Sequence, residues 1–397
     1  MKSLKELYRI GMGPSSSHTM GPSYAAEEYK RKCAGQAAAY TVTLYGSLAA
    51  TGRGHFTDDA IRRVLGAEKT TIIWKPDELL PQHPNGMRFA AMTAESKPLP
   101  EWTCYSVGGG AIREEDGIDR AKDVYPFTSM AQVLKTCDTL GLPIWQLVED
   151  AEKDIADHLA VVLKTMLASI EAGLHHDQVL PGGLRLARRA RNLYLKSRTL
   201  QDAFKRTALV TAYATAVSEE NASLGTIVTA PTCGSAGVLP AVLRYLGETL
   251  DLDEREKIHA LETAGMVGNI VKQNGSISGA EVGCQGEIGV ACAMAAAAAA
   301  YLYGGTAPQC ETAAEIGLEH FLGLTCDPVL GLVQIPCIER NAIAANRALV
   351  AAEMAILSDG RHRVSFDEVV ETMLRTGHDL PSLYRETSRG GLATTLR

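Results

Sequence analysis

The sequence predicts an α+β N-terminal domain followed by a larger, mostly α-helical domain. Short strand-like and helix-like stretches alternate through about residue 115, which is typical of an α+β layer arrangement. From about residue 119 the strand signals stop, and long stretches of helical periodicity follow. The chain has 397 residues, 46% of them hydrophobic, which suffices for two to three domains with buried cores. We therefore predict domains over 1–118 and 119–397, with the boundary within 117–123.

The elements of the first domain follow from local signals. Helices are expected where amphipathic stretches carry a cap or a terminal glycine, at AAEEYKRKCA and at TDDAIRRVLG, the second of which opens with a Thr/Asp cap. Strands are expected where β-branched and aromatic residues gather, at AYTVTLYGS, TTIIW, GMRFAAM and WTCYSVGGG.

The second domain is predicted to consist of helices joined by loops rich in Gly, Pro and Cys. The helices are expected at TSMAQVLKTCDTLG, PIWQLVEDAEKDIADHLAVVLKTMLASIEAG, TLQDAFKRTALVTAYATAVSEENA, DLDEREKIHALETAGMVGNIVK and CIERNAIAANRALVAAEMAIL. The loops between them include VLPGGL, APTCGSAG, SGAEVGCQGE and TCDPVLG. We expect these loops to converge on one site.

Charge and hydropathy exclude several classes of protein. A net charge of −7 and a pI near 5.9 argue against nucleic acid or an anionic membrane as the main partner. The start of the chain, MKSLKELYRIG, lacks the apolar run of a signal peptide. The longest apolar run, 288–303, has 16 residues and is too short and too rich in alanine to span a bilayer. We expect a soluble, cytoplasmic protein.

Three of the nine cysteines differ from the others in their surroundings. An odd number of cysteines without a secretion signal makes a disulfide framework improbable. Cys284, Cys326 and Cys337 are each flanked by Gly or Pro, which allow close backbone approach and fix turns, as an iron–sulfur cluster requires. Their separations, 41 and 10 intervening residues, are no compact zinc signature. Spacing alone leaves cluster ligation and buried loop thiols both open.

The loop GMGPSSSHTMGP, residues 11–22, gathers small hydrogen-bonding residues around one titratable ring. The hydroxyl groups of Ser15, Ser16, Ser17 and Thr19, with backbone amides ahead of a helix, could cradle a small anion such as a carboxylate. The alternative is that the three serines merely cap that helix. His18 in this loop is a candidate base or orienting group.

Seven sequence motifs together resemble those of a known family: GPSSSHTMGP, LYGSLAATGRGH, VLPGGL, APTCGSAGVLPAVL, SISGAEVGCQGEIGVA, GLTCDPVLGLVQIPCIERNAIAANRA and YRETSRGGLA. The chain resembles the iron–sulfur-dependent L-serine dehydratases (L-serine ammonia-lyases), in the single-chain form with a beta-type N-terminal and an alpha-type C-terminal domain. The resemblance implies a [4Fe–4S] cluster on Cys284, Cys326 and Cys337. It also implies conversion of L-serine to pyruvate and ammonia by a cytoplasmic homodimer, as in amino-acid degradation and gluconeogenesis.

The implied chemistry assigns roles to the histidines. Three thiolates on four irons leave one iron open, and an open iron is a Lewis acid that can bind the β-hydroxyl leaving group. A neutral imidazole would then remove the α-proton. His55, in GRGHFTDD, is the preferred base because it ends the motif LYGSLAATGRGH that resembles the family. His18 is the second candidate for that role. The serine-rich loop becomes the expected carboxylate cradle.

Other candidate substrate-binding residues flank the cysteines. Asn274, Ser276 and Ser278 lie just before the first of the three cysteines and could hydrogen-bond the substrate or the cluster, or act as ordinary turn formers. Arg385 and Glu386 lie in the C-terminal motif YRETSRGGLA, and we expect this segment to close over the site. The resemblance supplies both expectations.

The sequence departs from the family in two ways and leaves other functions open. The chain ends GGLATTLR, without the terminal cysteine of some bacterial members, and its first domain is shorter than theirs. One alternative function is dehydration of threonine or another small β-hydroxy amino acid. A second alternative is an enzyme that uses pyridoxal phosphate bound to Lys272 or Lys196. A third is a non-catalytic protein that senses an amino acid.

Overall fold

The computed structural model describes residues 1–116 and 122–395, with the backbone alone described at 202 and 203. The predicted domain boundary within 117–123 falls mostly on residues 117–121, which lie outside the described residues. The domain limits therefore stay a prediction.

Seven strands occur in the described residues: β1 (Ile10–Met12), β2 (Ala39–Tyr45), β3 (Thr70–Lys75), β4 (Gly86–Met92), β5 (Trp102–Ser106), β6 (Ile112–Glu114) and β7 (Thr226–Val228). Five of them form one sheet in the order β3-β2-β4-β5-β6. Strands β2 and β3 are parallel, and the other neighbours in this sheet are antiparallel. The four strands expected in the first domain are confirmed.

Fifteen α-helices occur in the same residues: α1 (Gly21–Lys32), α2 (Gly46–Thr51), α3 (Thr57–Leu65), α4 (Met130–Leu140), α5 (Ile144–Ala151), α6 (Ile155–His175), α7 (Ala190–Ser197), α8 (Asp202–Ala222), α9 (Val238–Thr249), α10 (Glu254–Asn274), α11 (Gly279–Val282), α12 (Ile288–Leu302), α13 (Ala307–Glu319), α14 (Cys337–Ile356) and α15 (Phe366–Asp379). Short 3₁₀ turns and one π-helical turn, Ser16–Met20, complete the fold. An α+β part followed by a mostly helical part is confirmed.

The sheet packs against helices α1 and α3 because its buried residues alternate along the strands. In β2, Val42 and Leu44 are fully buried on one face. They belong to one apolar cluster with Tyr29 of α1, Ile61 of α3 and Phe89 of β4. This cluster is separate from the apolar core of the helical part.

The cap expected at the start of α3 is absent. The residue before the helix is Phe56, in the left-handed conformation with φ 54°, and α3 shows no side-chain cap hydrogen bond. The hydroxyl of Thr57 instead donates to the backbone oxygen of His18, 2.6 Å away. The predicted Thr/Asp cap is therefore wrong, because this hydroxyl is used to hold the serine-rich loop.

The first residues of the chain pack into the helical part. Leu4, Leu7 and Tyr8 are at most 1% exposed and belong to its apolar core. Strand β1 pairs antiparallel with β7, a short strand in the region where the sequence predicted only helices. The three residues of β7 are too few to produce a periodic signal.

One long helix expected from the sequence is broken in two. Helix α5 ends at Ala151 and α6 begins at Ile155. Between them Glu152 adopts a non-helical conformation, and its buried carboxylate accepts hydrogen bonds from Ser3 and Tyr125. Partners distant in sequence thus set this break, so helical periodicity could not reveal it.

Helix α12 is the centre of the helical part. All its residues from Ile288 through Ala300 are buried, and the small alanines let neighbouring helices approach closely. A Cβ at Gly317 of α13, for example, would lie 3.0 Å from the Cα of Ala293. Among the described residues no single helix is long and apolar enough to cross a membrane; the bent pair Gly279–Gln285 and Ile288–Leu302 passes by length and composition only.

Candidate active site

Three thiols from separate segments converge on one cavity. Cys284 lies in the 3₁₀ turn before α12, Cys326 in the loop after α13, and Cys337 is the first residue of α14. The cavity has an empty volume of about 380 Å³. Its lining consists of Pro14, Ser15, His55, Gly234, Cys284, Glu287, Ile288, Cys326, Pro328, Val333, Cys337 and Glu386. Loops far apart in sequence therefore meet here.

The three cysteines are unpaired and close to a carboxylate. All nine cysteines of the chain are free. The Sγ atoms of Cys284 and Cys326 lie 3.7 and 4.0 Å from Oε2 of Glu287, and these ligand atoms all lie within 4.8 Å of one another. This group could hold a metal ion. A hydrogen bond with Cys284 and burial raise the pKa of the Cys326 thiol well above its ordinary value, and burial does the same for Cys337.

A buried cation lies beside the thiols. The side chain of Arg340 is 14% exposed and donates hydrogen bonds to the backbone oxygen of Thr325 and to Oδ1 of Asp327, at 2.7 and 3.3 Å. Burial lowers the pKa of Arg340, but the charges of the three cysteines and Asp327 outweigh it and raise the pKa overall. The guanidinium therefore stays charged, and its charge opposes the rise in the pKa of the Cys337 thiol that burial causes.

Glu287 is a site residue that the sequence analysis missed. Its Oε1 accepts a hydrogen bond from the Thr232 hydroxyl at 2.7 Å, and burial raises the pKa of its carboxyl group. A Cβ at Gly234 or Gly279 would lie 3.1 or 2.8 Å from its oxygens. The signal in the sequence was an acid three residues after Cys284, immediately before the apolar run 288–303.

The serine-rich loop both caps a helical turn and reaches the cavity. Ser15, Ser16, Ser17 and Thr19 are all buried. The Ser15 hydroxyl accepts from the backbone N–H of His18 at 3.1 Å and so caps the π-helical turn, whereas α1, the helix after the loop, has no side-chain cap. Ser15 also lines the cavity, whereas the other three are not among its lining residues. A direct contact of those three with a ligand stays a prediction.

The two histidines lie side by side in different settings. The rings of His18 and His55 are 4.6 Å apart, centre to centre. His18 is held at both nitrogens, by the hydroxyl of Ser17 at Nδ1 (2.9 Å) and that of Ser47 at Nε2 (3.1 Å). His55 lines the cavity, and its buried Nδ1 has no hydrogen-bond partner among the residues the structure describes. The Thr19 hydroxyl fixes the His55 backbone by donating to its carbonyl at 2.7 Å.

Both histidines are neutral at ordinary pH. Burial lowers the pKa of His55 to about 4. Burial, with electrostatic repulsion from His55, lowers the pKa of His18 well below its ordinary value. The 3.7 Å contact between Nδ1 of His18 and Oε1 of Glu386 therefore joins two neutral groups rather than an ion pair, because burial also raises the pKa of Glu386.

None of the three predicted polar residues before Cys284 is among the residues that line the cavity. Asn274 is exposed at the end of α10 and donates to the backbone oxygen of Thr128 at 2.8 Å. Ser276 donates to Glu281 and accepts from the backbone N–H of Ser278. Ser278 is buried, and its hydroxyl has no partner among the described residues. Asn274 and Ser276 are thus turned toward structural partners outside the cavity.

The C-terminal tail lies against Cys326. The Cys326 N–H donates to the Tyr384 carbonyl, and the Glu386 N–H donates to the Cys326 carbonyl, both at 2.8 Å. Glu386 lines the cavity, while Nη1 of Arg385 donates to the backbone oxygen of Glu281 at 3.2 Å. The Nε of Arg385 is buried without a partner in the part of the chain that the structure describes. The backbone thus places the tail over the thiols.

The family profile described as Serine dehydratase alpha chain matches residues 34–393. The chain belongs to the serine dehydratase family. The match covers every segment that lines the cavity except the serine-rich loop, which precedes residue 34.

Curated relatives of this serine dehydratase family member are similar over their whole length. A protein named L-serine dehydratase from Streptomyces coelicolor is 42% identical, over 99% of both chains. The L-serine dehydratase TdcG of Escherichia coli K12 is 43% identical over 99% of both, and a Haemophilus influenzae L-serine dehydratase is 41% identical over 100% of this chain and 99% of its own. These alignments span 450 to 452 positions, more than the 397 residues here, so the relatives contain segments that this chain lacks.

Proposed function

We propose that this protein converts L-serine to pyruvate and ammonia with a [4Fe–4S] cluster held by Cys284, Cys326 and Cys337. The observation that supports it most is the meeting of these three free thiols with His55 in one cavity. Membership of the serine dehydratase family and relatives named L-serine dehydratase agree with it. As the resemblance implies, we further propose a homodimer in the cytoplasm.

The residues present fit an iron–sulfur cluster. Cysteine thiolates are the ligands that such clusters use. Here three cysteines line the cavity, and none of the three forms a disulfide bond. Gly279 allows the backbone to approach, since a Cβ there would lie 3.2 Å from Sγ of Cys326. Arg340 supplies a buried positive charge beside an anionic group. When bound, a cluster with three protein ligands supplies an open iron, a Lewis acid for the β-hydroxyl group.

His55 takes the α-proton in this proposal. Its ring lines the cavity, its pKa of about 4 leaves it neutral at pH 7, and its Nδ1 is not engaged by any described residue. We assign the ring of His55 as the proton acceptor. A neutral ring can take a proton as a general base, and such a base is most efficient when its pKa lies near the working pH.

His18 has a supporting role. The hydroxyls of Ser17 and Ser47 occupy both of its ring nitrogens, so neither is available to take a substrate proton. Its ring packs 4.6 Å from that of His55 and holds it in place.

The start of the π-helical turn binds the substrate carboxylate. The first N–H groups of a helix have no acceptor inside it, which applies to Ser16 and Ser17. Ser15 places the same turn at the cavity wall. An N-terminal turn with free donors is a ready site for a small anion.

Two other functions are less well supported. A pyridoxal-phosphate enzyme needs a lysine in its site, but no lysine lines this cavity among the described residues; Lys272 donates to the Glu6 carbonyl and Lys196 lies in α7. A sensor would bind L-serine without turnover.

L-threonine differs from the proposed substrate by one methyl group. Assays of the reaction with both amino acids show which one the enzyme prefers.

A pair of cysteine variants tests the ligand assignment. Cys326→Ala is expected to lose the iron and at least about 100-fold of the activity, because the metal supplies the Lewis acid. Cys292→Ala is the control: this buried thiol lies in α12 and does not line the cavity. Iron and labile sulfide per chain and pyruvate formation are measured on anaerobically reconstituted protein. Full iron and activity in Cys326→Ala would refute the assignment.

A further inference from the structure

A second group of potential metal ligands lies outside the cavity, between helices α5 and α10. Glu149 belongs to α5, and His259 and Glu262 are three residues apart on one face of α10. One ligand atom from each lies within 4.8 Å of the other two. The Nε2 atom of His259 is 3.7 Å from Oε1 of Glu149. This spacing fits three ligands of a single ion.

Glu262 lacks a hydrogen-bond partner that would explain its burial. Its side chain is 0% exposed, and neither carboxylate oxygen has a hydrogen-bond partner among the described residues. A buried carboxylate is costly unless it is paired or coordinates a metal. Because its ligand oxygen is within reach of the other two ligand atoms, the carboxylate is directed into the group.

The ring of His259 is already oriented. It stacks on Trp145 of α5, with the ring centres 3.7 Å apart and the planes 6° from parallel. Its Nδ1 lies 3.2 Å from the hydroxyl of Tyr301. Histidine ligands of metals generally bond a second group through the other ring nitrogen, which fixes the tautomer. The other nitrogen, Nε2, lies 3.7 Å from Oε1 of Glu149 and accepts a hydrogen bond from Nε of Arg255 at 3.4 Å in this structure.

We propose that Glu149, His259 and Glu262 bind one divalent first-row transition ion that tolerates mixed nitrogen and oxygen ligands. Two carboxylates and an imidazole suit Mn²⁺ and Zn²⁺. The Glu149 side chain is 28% exposed, which gives an ion a path from solvent and room for water ligands. Arg255, which is exposed, places Nε 3.4 Å from Nε2 of His259 and withdraws when the ion binds.

The site links helices α5 and α10. An ion that binds the folded but not the unfolded chain stabilises the fold in proportion to its concentration. This role is independent of the proposed dehydration, because the thiol cavity contains none of these three residues.

Titration of the anaerobic holoenzyme with Mn²⁺ alone tests the site. The EPR signal of free Mn²⁺ is expected to show one saturable site per chain in excess of the cluster iron. Glu262→Gln, which keeps the shape of the side chain, is expected to weaken binding at least about 10-fold, the loss caused even by indirect partners of a ligand. Glu254→Gln, an exposed position on the same helix, is the control and should bind as the parent does.

A second readout is the fluorescence of Trp145. Bound Mn²⁺ next to the stacked His259 is expected to quench this indole and to raise the melting temperature, and Glu262→Gln should abolish both effects. Zn²⁺ should displace the Mn²⁺. Failure of the parent to saturate, or equal binding by Glu262→Gln, would overturn the proposal whether or not the enzyme makes pyruvate.

Discussion

At the scale of single residues, the three thiols share their cavity with the carboxylate of Glu287 and interact electrostatically with the guanidinium of Arg340. Cys284 could be selected because the glycines around it leave a recognisable local pattern, whereas His55 could be selected only through the resemblance to the family. Glu287 and Arg340 could not, since a lone acid or base in a helical stretch normally faces solvent. Only the fold shows that Glu287 contacts the thiols and that the charge of Arg340 lies near enough to interact with them.

Replacing the proposed base separates its chemistry from the cluster. His55→Gln is expected to lower kcat by about 10²- to 10⁴-fold, the usual contribution of a general base, and to leave the iron content unchanged. His175→Gln, at an exposed position in α6, is the matched control. Activity close to that of the parent in His55→Gln would transfer the role of base to another group.

The lowered pKa of His55 predicts a pH profile. Because only the neutral ring accepts a proton, the acid limb of kcat/KM due to His55 should lie near pH 4 rather than near the ordinary 6.5. Activity at pH 6 should therefore remain close to that at pH 7.5. An acid limb near 6.5 that disappears in His55→Gln would show that the ring is not desolvated in the working enzyme.

The lowered pKa of His55 also makes the free energy of unfolding depend on pH. The unfolded chain protonates His55 below about 6.5, while the folded chain does so only near 4. The unfolded state thus binds more protons between these values, and this contribution to the free energy of unfolding falls as pH drops from 6.5 toward 4. Urea unfolding of parent and His55→Gln between pH 4.5 and 7.5 measures it: the variant should show the shallower dependence.

At the scale of elements, the start of each helix was predicted less well than its body. The sequence gives the bodies through their 3.6-residue period, but starts depend on distant partners. Thr57 leaves its own helix uncapped to bind the His18 carbonyl, and Glu152 breaks a predicted helix to accept two hydrogen bonds. Both exceptions lie where segments far apart in sequence meet.

Close packing at the start of α11 is required at the site. In Gly279→Ala the new Cβ would lie 2.8 Å from Oε2 of Glu287 and 3.2 Å from Sγ of Cys326, so one of them must move. We expect a reduced iron content and at least about 10-fold lower activity. In the control Gly183→Ala the nearest atom is the end of the Leu330 side chain, at 3.3 Å, which can adjust. Equal effects of the two substitutions would argue against a tight site.

At the scale of the whole molecule, the order of the two parts could be predicted but the path of the chain through them could not. Alternation followed by helical periodicity indicated an α+β part and a helical part. It did not indicate that the first residues join the helical core through β1 and β7, because pairing between distant strands has no local signal. The cavity lining therefore comes from both ends of the chain.

Unfolding measurements test the place of the first residues in that core. Leu4 is 0% exposed and packs against Gly265 of α10, so Leu4→Ala is expected to lower the free energy of unfolding by about 2 to 5 kcal/mol. Leu79→Ala, at a position 70% exposed, should change it by less than about 0.5 kcal/mol. Similar small losses in both variants would place the first residues outside the core.

The central claim is that L-serine reacts at a cluster held by the three thiols. The most direct measurement records the EPR and visible spectra of the anaerobically reconstituted protein before and after adding L-serine, with pyruvate assayed in the same cuvette. The account predicts a cluster signal that L-serine perturbs while pyruvate accumulates. Reconstituted protein that holds no iron, or that makes pyruvate at full rate without it, would contradict the account.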